Sequence, residues 1–269
     1  MKDIRLIASD MDHTLLTEAS ELPPGFHDYV EALNQAGIVF VAASGRSTFT
    51  LRSMFPAGGP GLAYIGDNGG TVTHDGETLF ESLLPSSDYQ EMIALTHEQT
   101  AGIPIICGVD AGYVATAHRE HEDFLRTFYS ELVFVDDLTA ITPNADKFTV
   151  YFPEGNAQEL CERLYRPRYD DDFSVTIGGS VWVDIMNQGV TKGTALRVLA
   201  SRLGLRPEQM MAFGDTFNDI EMLDEVYFSY AVSNAVDAVR EAARFSTGSN
   251  DEYGVLTVIK ELLAGRRDS

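Results

Sequence analysis

The chain has 269 residues, 44% of them apolar, which is enough to bury a large core and leaves one elaborated domain or two open. Forty-one acidic against nineteen basic residues give a net charge of −22, which repels nucleic acid and anionic membrane surfaces, so binding to either is not expected. No basic, apolar leader, bilayer-length apolar run, low-complexity tract or repeat is visible, and Cys107 and Cys161 are too few for a disulfide framework. The expectation is a cytoplasmic protein with reduced thiols.

The first apolar, β-branched segment, Ile4 to Ile7, has strand length and delivers Asp10, Asp12 and Thr14 where it stops. Two carboxylates at the carboxyl end of a parallel strand border the crevice where open α/β sheets bind ligands. Like charges so close call for a counter-charge, and a hard dication such as Mg²⁺ supplies it through oxygen ligands. An Asp-rich turn after an edge strand is the other reading of the same pattern.

Pro23 to Ala36 reads as a helix ended by Gly37, and Ile38 to Ala43 as a strand buried on both faces, so strand, helix and strand make a right-handed parallel unit. Ser44 and Gly45 then fall in a strand-to-helix turn before Thr48 to Met54, where free N–H groups hold an anion or Ser44 merely caps the helix. A third strand, Leu62 to Ile65, ends at Gly66-Asp67-Asn68-Gly69-Gly70, where Asn68 touches a substrate or builds the turn. Thr71 to Leu83 reads as a hairpin turning at His74-Asp75-Gly76-Glu77.

Pro85-Ser86-Ser87 interrupts this pattern, and residues 85–187 read as an α+β insert with an antiparallel sheet, closed by a hairpin of Phe173 to Ile177 with Val181 to Met186. Residues 1–84 and 188–269 then form one discontinuous core domain. Trp182 is expected to pack one face of the insert sheet, and Tyr169 to Asp172 to form an acidic surface turn. His118 and His121, three apart on an expected helix, either share a metal or line a solvated face.

Lys192 opens a helix that Gly204 ends, and a lysine in a first turn is badly matched to the helix dipole unless it holds an anion. Met210 to Phe213 gives another strand, running into Gly214-Asp215-Thr216-Phe217-Asn218-Asp219, a second acidic pair at a strand end. Val226 to Val232 and helices near 236–243 and 255–263 complete the expected parallel sheet and its cover.

In this order the chain resembles the haloacid dehalogenase superfamily, most closely the Cof-type phosphatases with a type IIB cap. The matching motifs are Asp10-Met11-Asp12-His13-Thr14, Ser44-Gly45-Arg46, Thr191-Lys192-Gly193 and Gly214-Asp215-Thr216-Phe217-Asn218-Asp219. The resemblance implies a Rossmann-like, doubly wound parallel sheet with an inserted α+β cap of the C2B type between the second and third motifs. It also implies that Asp10 is a nucleophile forming an aspartyl-phosphate and Asp12 a general acid and base. Mg²⁺ would be held by Asp10, the Asp12 carbonyl and Asp215, with Asp219 close by or bridged by water. Ser44, Gly45, Arg46, Asn68, Lys192 and Asn218 would surround the phosphate.

His13 stands where that family most often has Gly, and Asp67 is also a departure; a narrowed pocket or a side chain that titrates near neutrality is the expectation for the first, and an altered leaving-group preference for the second. The implied partner is a small phosphorylated metabolite, a sugar phosphate or phosphorylated cofactor, with the protein a monomer or small homo-oligomer. A sugar phosphomutase shares the nucleophile and the cap type. A signalling receiver also clusters Asp, a hydroxyl and Lys, but needs neither the second acid nor the insert. The insert is expected to act as a lid that selects the leaving group.

Overall fold

The computed structural model describes residues 3–56 and 58–267. Its first elements are Leu6–Asp10 (β1), Phe26–Gln35 (α1), Val39–Ala43 (β2), Thr48–Met54 (α2), Leu62–Gly66 (β3), Thr71–His74 (β4) and Glu77–Glu81 (β5). Then come Ser86–Gln99 (α3), Ile103–Gly108 (β6), Gly112–Ala115 (β7), Glu122–Leu125 (α4), Leu132–Val135 (β8), Ala145–Tyr151 (β9), Ala157–Leu160 (α5), Arg166–Tyr169 (α6), Phe173–Gly178 (β10) and Trp182–Asn187 (β11). The last are Lys192–Leu203 (α7), Met210–Gly214 (β12), Ile220–Asp224 (α8), Phe228–Ala231 (β13), Asp237–Ala242 (α9), Phe245–Ser246 (β14) and Gly254–Arg267 (α10).

One sheet runs β14-β13-β12-β1-β2-β3-β4-β5, parallel from β14 to β3 and antiparallel from β3 to β4. Its central strands are buried on both faces, and up to the polar end of β1 at Ser9 and Asp10 they are apolar, as a parallel sheet requires. The order of strands reverses between β1 and β12, and this switch point is where open α/β sheets place ligands. Register fixes the level of the strand ends: Asp10 lies opposite Ala43, Ala43 opposite Ile65, and Ser9 opposite Phe213. The residues that follow each strand therefore emerge on one edge of the sheet. The β4–β5 turn has Asp75 and Gly76 both at positive φ, 50° and 82°, the geometry that a two-residue hairpin loop requires.

A second sheet runs β10-β11-β9-β6-β7-β8, antiparallel except for the parallel β7–β8 pair. Side chains alternate across it. Phe148, Val150, Val183 and Ile185 join Tyr89, Met92 and Tyr165 on one face. Ile105, Cys107, Tyr151 and Trp182 join Leu125 and Tyr129 on the other. Trp182 stacks with Phe124 and packs against Tyr151 and Phe128, as expected of a tryptophan on a sheet face. Cys107 and Cys161 are both buried and neither forms a disulfide. Tyr169, expected on a surface turn, instead closes α6 and is buried in the first of these clusters, so only Asp170 to Asp172 are exposed.

The chain packs as two compact units. One takes the segments up to Gly45, Met54–Phe80 and everything from Thr191 onward; the other takes Glu81–Val190 and, with it, Arg46–Ser53. The expected boundaries placed α2 with the flanking segments, but its contacts lie with residues 127–130. The Thr50 hydroxyl donates to the Phe128 carbonyl at 3.1 Å and accepts from the Ser130 N–H at 3.1 Å, and Phe49 packs against the Trp182 cluster. No helix among the described residues is long and apolar enough to cross a membrane.

Candidate active site

β1 is buried throughout and ends on Asp10, after which Met11 to Leu15 form a wide turn closed by the Leu16 N–H donating to the Met11 carbonyl at 2.8 Å. Within it Asp12 is extended, and His13 takes the left-handed conformation, φ 60°. That reversal returns Thr14 to the interior, where its hydroxyl donates to Asp215 Oδ1 at 2.9 Å. The Asp-x-Asp-x-Thr spacing thus has a geometric reason: one acid comes from the strand end, and the hydroxyl after the turn reaches the neighbouring strand's acid. Asp12 itself is half-buried.

At the end of β12 the Asp215 and Thr216 N–H groups donate to Asp219 Oδ2 at 3.0 and 3.2 Å. A Cβ on Gly214 would lie 2.5 Å from the Asp219 Cβ, so only glycine lets that side chain fold back under the loop. Asp219 is fully buried, and its other oxygen, Oδ1, accepts from Lys192 Nζ at 2.7 Å.

Lys192 is the first residue of α7. Thr191 caps that helix by accepting from the Thr194 N–H at 3.1 Å, while the Thr194 hydroxyl accepts from the Thr191 N–H at 3.0 Å. The ammonium is buried and meets Asp10 Oδ1 at 2.5 Å as well as Asp219, supplying the anion that the helix-dipole mismatch called for. Burial alone would push this ammonium down, but Asp10 and Asp219 outweigh it and hold Lys192 well above its ordinary value.

The acids outnumber that cation. Ligand oxygens of Asp10, Asp215 and Asp219 all lie within 4.8 Å of one another. Burial holds the Asp10 carboxyl well above the usual carboxylate range; Lys192 opposes the shift, while Asp219 and Asp215 add to it. Asp215 is raised by burial and by Asp219, with the Thr14 hydrogen bond working the other way. A cluster that burial and mutual repulsion push toward protonation is short of positive charge, and an oxygen-seeking dication fits it. Asp219 is engaged at both oxygens and braces Lys192 against the 215–216 backbone. Among the described residues no other group of His, Cys, Asp and Glu converges in this way. His118 and His121 lie on a 3₁₀ run, half-buried, with the His121 ring edge-on to Tyr151 at 5.6 Å.

Ser44 is buried, and its N–H donates to the Ile65 carbonyl while its own carbonyl accepts from the Asn68 N–H, each at 2.9 Å. Asp67, Asn68 and Gly69 follow with φ of 49°, 53° and 110°, and a Cβ on Gly69 would sit 2.3 Å from the Thr191 carbonyl oxygen. The turn therefore seats directly against the start of α7. Asn218 donates to Asn68 Oδ1 at 2.9 Å, and Gly45 lies against the Asn68 amide. Arg46 is placed differently: it belongs to the unit that holds Glu81–Val190, and its guanidinium donates to the Thr127 carbonyl at 2.9 Å and lies 5.7 Å from the Phe128 ring centre.

The comparisons agree with this geometry. A family model described as haloacid dehalogenase-like hydrolase matches residues 7–259. The chain is 31% identical over 265 residues to 5-amino-6-(5-phospho-D-ribitylamino)uracil phosphatase YbjI of Escherichia coli K12, covering 97% of this chain and 96% of that one. It is 26% identical to the phosphatase of the same name, YcsE, of Bacillus subtilis 168, covering 96% and 95%. A solved protein from Streptococcus mutans UA159 superposes with a TM-score of 0.86 at 30% identity, covering 97% of this chain and 99% of that one. With the acids and lysine at the sheet's switch point and the match spanning nearly its whole length, the chain belongs to the haloacid dehalogenase-like hydrolases and is a phosphoric monoester hydrolase of that family.

Proposed function

We propose that this phosphatase hydrolyses a small phosphorylated metabolite in two displacements through an aspartyl-phosphate on Asp10, with Mg²⁺ as its metal. The observation that carries the reading is the Lys192 ammonium bound between Asp10 and Asp219 at the strand-order reversal, with Asp215 across the switch point. Lys192 holds Asp10 Oδ1, so Oδ2 attacks phosphorus. The bond to the leaving oxygen breaks, and Asp12 gives that oxygen its proton. Asp12, now a carboxylate, takes a proton from water as the water oxygen attacks the phosphoryl group. The Asp10–phosphorus bond breaks, returning Asp10 ionised and Asp12 protonated. Ser44, Gly45, Asn68, Lys192 and Asn218 donate to the phosphoryl oxygens and offset the charge that builds on them. Mg²⁺ would be held by Asp10, the Asp12 carbonyl and Asp215, directly or through water by Asp219, and when bound it neutralises phosphoryl charge and aligns the group for in-line attack.

Because two relatives carry the name of a phosphoribitylamino-uracil phosphatase, a phosphorylated, sugar-alcohol-linked pyrimidine is the first substrate to try. The protein is expected to work in the cytoplasm. Phosphate release from a panel of phosphorylated metabolites with Mg²⁺ tests the reading; an isomeric phosphate with no free phosphate would make it a mutase, and no turnover on any member would overturn it.

A further inference from the structure

The left-handed turn at His13 is held from outside by two asparagines that no sequence motif marks. Asn234, in the loop after β13, donates its amide to the His13 carbonyl at 2.7 Å. Its own Oδ1 accepts from the Asn250 N–H at 3.1 Å. Asn250, buried in the loop before α10, donates its side chain to the Leu16 carbonyl at 3.0 Å and to Glu18 Oε1 at 3.1 Å. Glu18 closes the ring by meeting His13 Nδ1 at 2.9 Å and anchors its N–H on Asp251 at 3.0 Å. Two carbonyls of one short turn, and the side chain at its apex, are thus tied to the same pair of loops.

A residue with a Cβ enters the left-handed region at a cost and stays there only when its surroundings hold it. At His13 that conformation separates Asp12 from Thr14, so it sets both where the Asp12 carboxyl points and how Thr14 reaches Asp215. Resting on the acid–base role proposed above for Asp12, we propose that Asn234 and Asn250 are positioning residues that hold the His13 turn and through it aim Asp12 at the leaving oxygen. The chemistry demands an amide at Asn234, because the group donates to one backbone atom and accepts from another; a carboxylate of the same shape does only the second. Neither asparagine touches the Asp10–Lys192 pair, so their effect falls on proton transfer rather than on attack.

The test uses the full-length enzyme and Asn234, which is exposed and whose loss does not threaten the fold. Both Asn234→Ala and Asn234→Asp are expected to lower kcat on an alkyl phosphate by about tenfold to a hundredfold, the order that a slight misplacement of a reacting group produces. KM should stay within about twofold. On an aryl phosphate whose phenol leaves without a proton the loss in kcat/KM, which reports the first displacement alone, should be several times smaller. His13→Gly combined with Asn234→Ala should recover most of the lost activity, because glycine takes φ near 60° without a clamp. Equal losses of kcat/KM on both esters, an unchanged kcat on the alkyl phosphate, or no recovery in the double variant would each overturn the assignment. Wild-type protein that releases phosphate from neither ester would instead overturn the functional reading beneath it.

Discussion

The two units bury polar side chains in opposite ways. In the parallel-sheet unit Asp10, Ser44, Asp67, Asp215 and Asp219 lie at or just past strand ends, and Lys192 at a helix start. In the other unit Lys147 and Thr149 lie within β9, and Thr96 and Tyr165 lie inside the helical layer. There hydroxyls pair locally: Thr149 donates to Asp184 at 2.5 Å, and Thr96 and Tyr165 share a hydrogen bond of 2.9 Å. The first arrangement gathers like charge and keeps it unbalanced, whereas the second pairs these hydroxyls within their own layers. Unbalanced charge at an accessible edge serves chemistry, and satisfied pairs in a core serve stability.

The largest expected effect tests the first half of that contrast. Asp10→Asn keeps the side chain's shape and removes the nucleophile, so kcat should fall by at least about a thousandfold and phosphate should no longer be trapped on the protein. Activity above about one hundredth of wild type would sink the covalent route.

Metal and pH should sharpen the contrast next. Asp10 and Asp215 are both raised, so the metal-free folded protein binds protons more tightly there than the unfolded chain does. The sign follows: the cluster's contribution to stability falls as pH rises from the ordinary carboxylate value of about 4 through the raised folded values. Urea midpoints of chelated protein should show this decline, and Mg²⁺ should stabilise more at the high end of the window. Phosphate release should vanish with chelator and return with Mg²⁺ but not Ca²⁺, whose looser coordination misplaces the acids. A midpoint unmoved by Mg²⁺ at every pH would remove the metal from the site.

Most of the reactive end was legible because it is local: a strand stops, and the next residues are acids, a serine or a glycine turn. Lys192 was legible as a mismatch with its helix dipole. What escaped depends on partners far along the chain. The Thr14–Asp215 bond joins residues 201 positions apart, and only the motif's spacing hints at it. Asn234 and Asn250 read as ordinary loop residues, since nothing near them names the turn they hold. β8 and β14 were missed because both are short and borrow their definition from a neighbour, β8 from parallel pairing with β7 and β14 from β13. Tyr169 was misplaced because the acidic run after it reads as a surface turn, although the residue itself is only 6% exposed.

The second half of the contrast predicts stability changes without catalytic ones. Tyr165→Phe removes the hydroxyl that pairs with Thr96 in a buried layer and should cost about 1–2 kcal/mol in unfolding free energy. Its kcat on a small ester should match wild type. A drop in kcat without lost stability would mean that the insert's buried hydroxyls do more than hold its core.

The smallest expected effect bears on the one motif residue that the geometry divides from the rest. Ser44 and Gly45 belong with the acid cluster, yet Arg46, the next residue, donates to Thr127 and lies over the Phe128 ring. A guanidinium engaged by a carbonyl and a ring face at a partly exposed site is worth roughly 0.5–1 kcal/mol. If that tie is its main work, Arg46→Ala should lower the unfolding free energy by about that amount and leave kcat on a small generic ester within about twofold. Arg46→Lys should recover little, because an ammonium does not reproduce the planar stacking. If instead Arg46 neutralises phosphoryl charge as the motif's resemblance implies, the alanine variant should lose activity by tenfold or more at unchanged stability, with lysine restoring part of it. Kinetics and unfolding measured on the same two variants therefore decide on which side of the contrast the second motif ends.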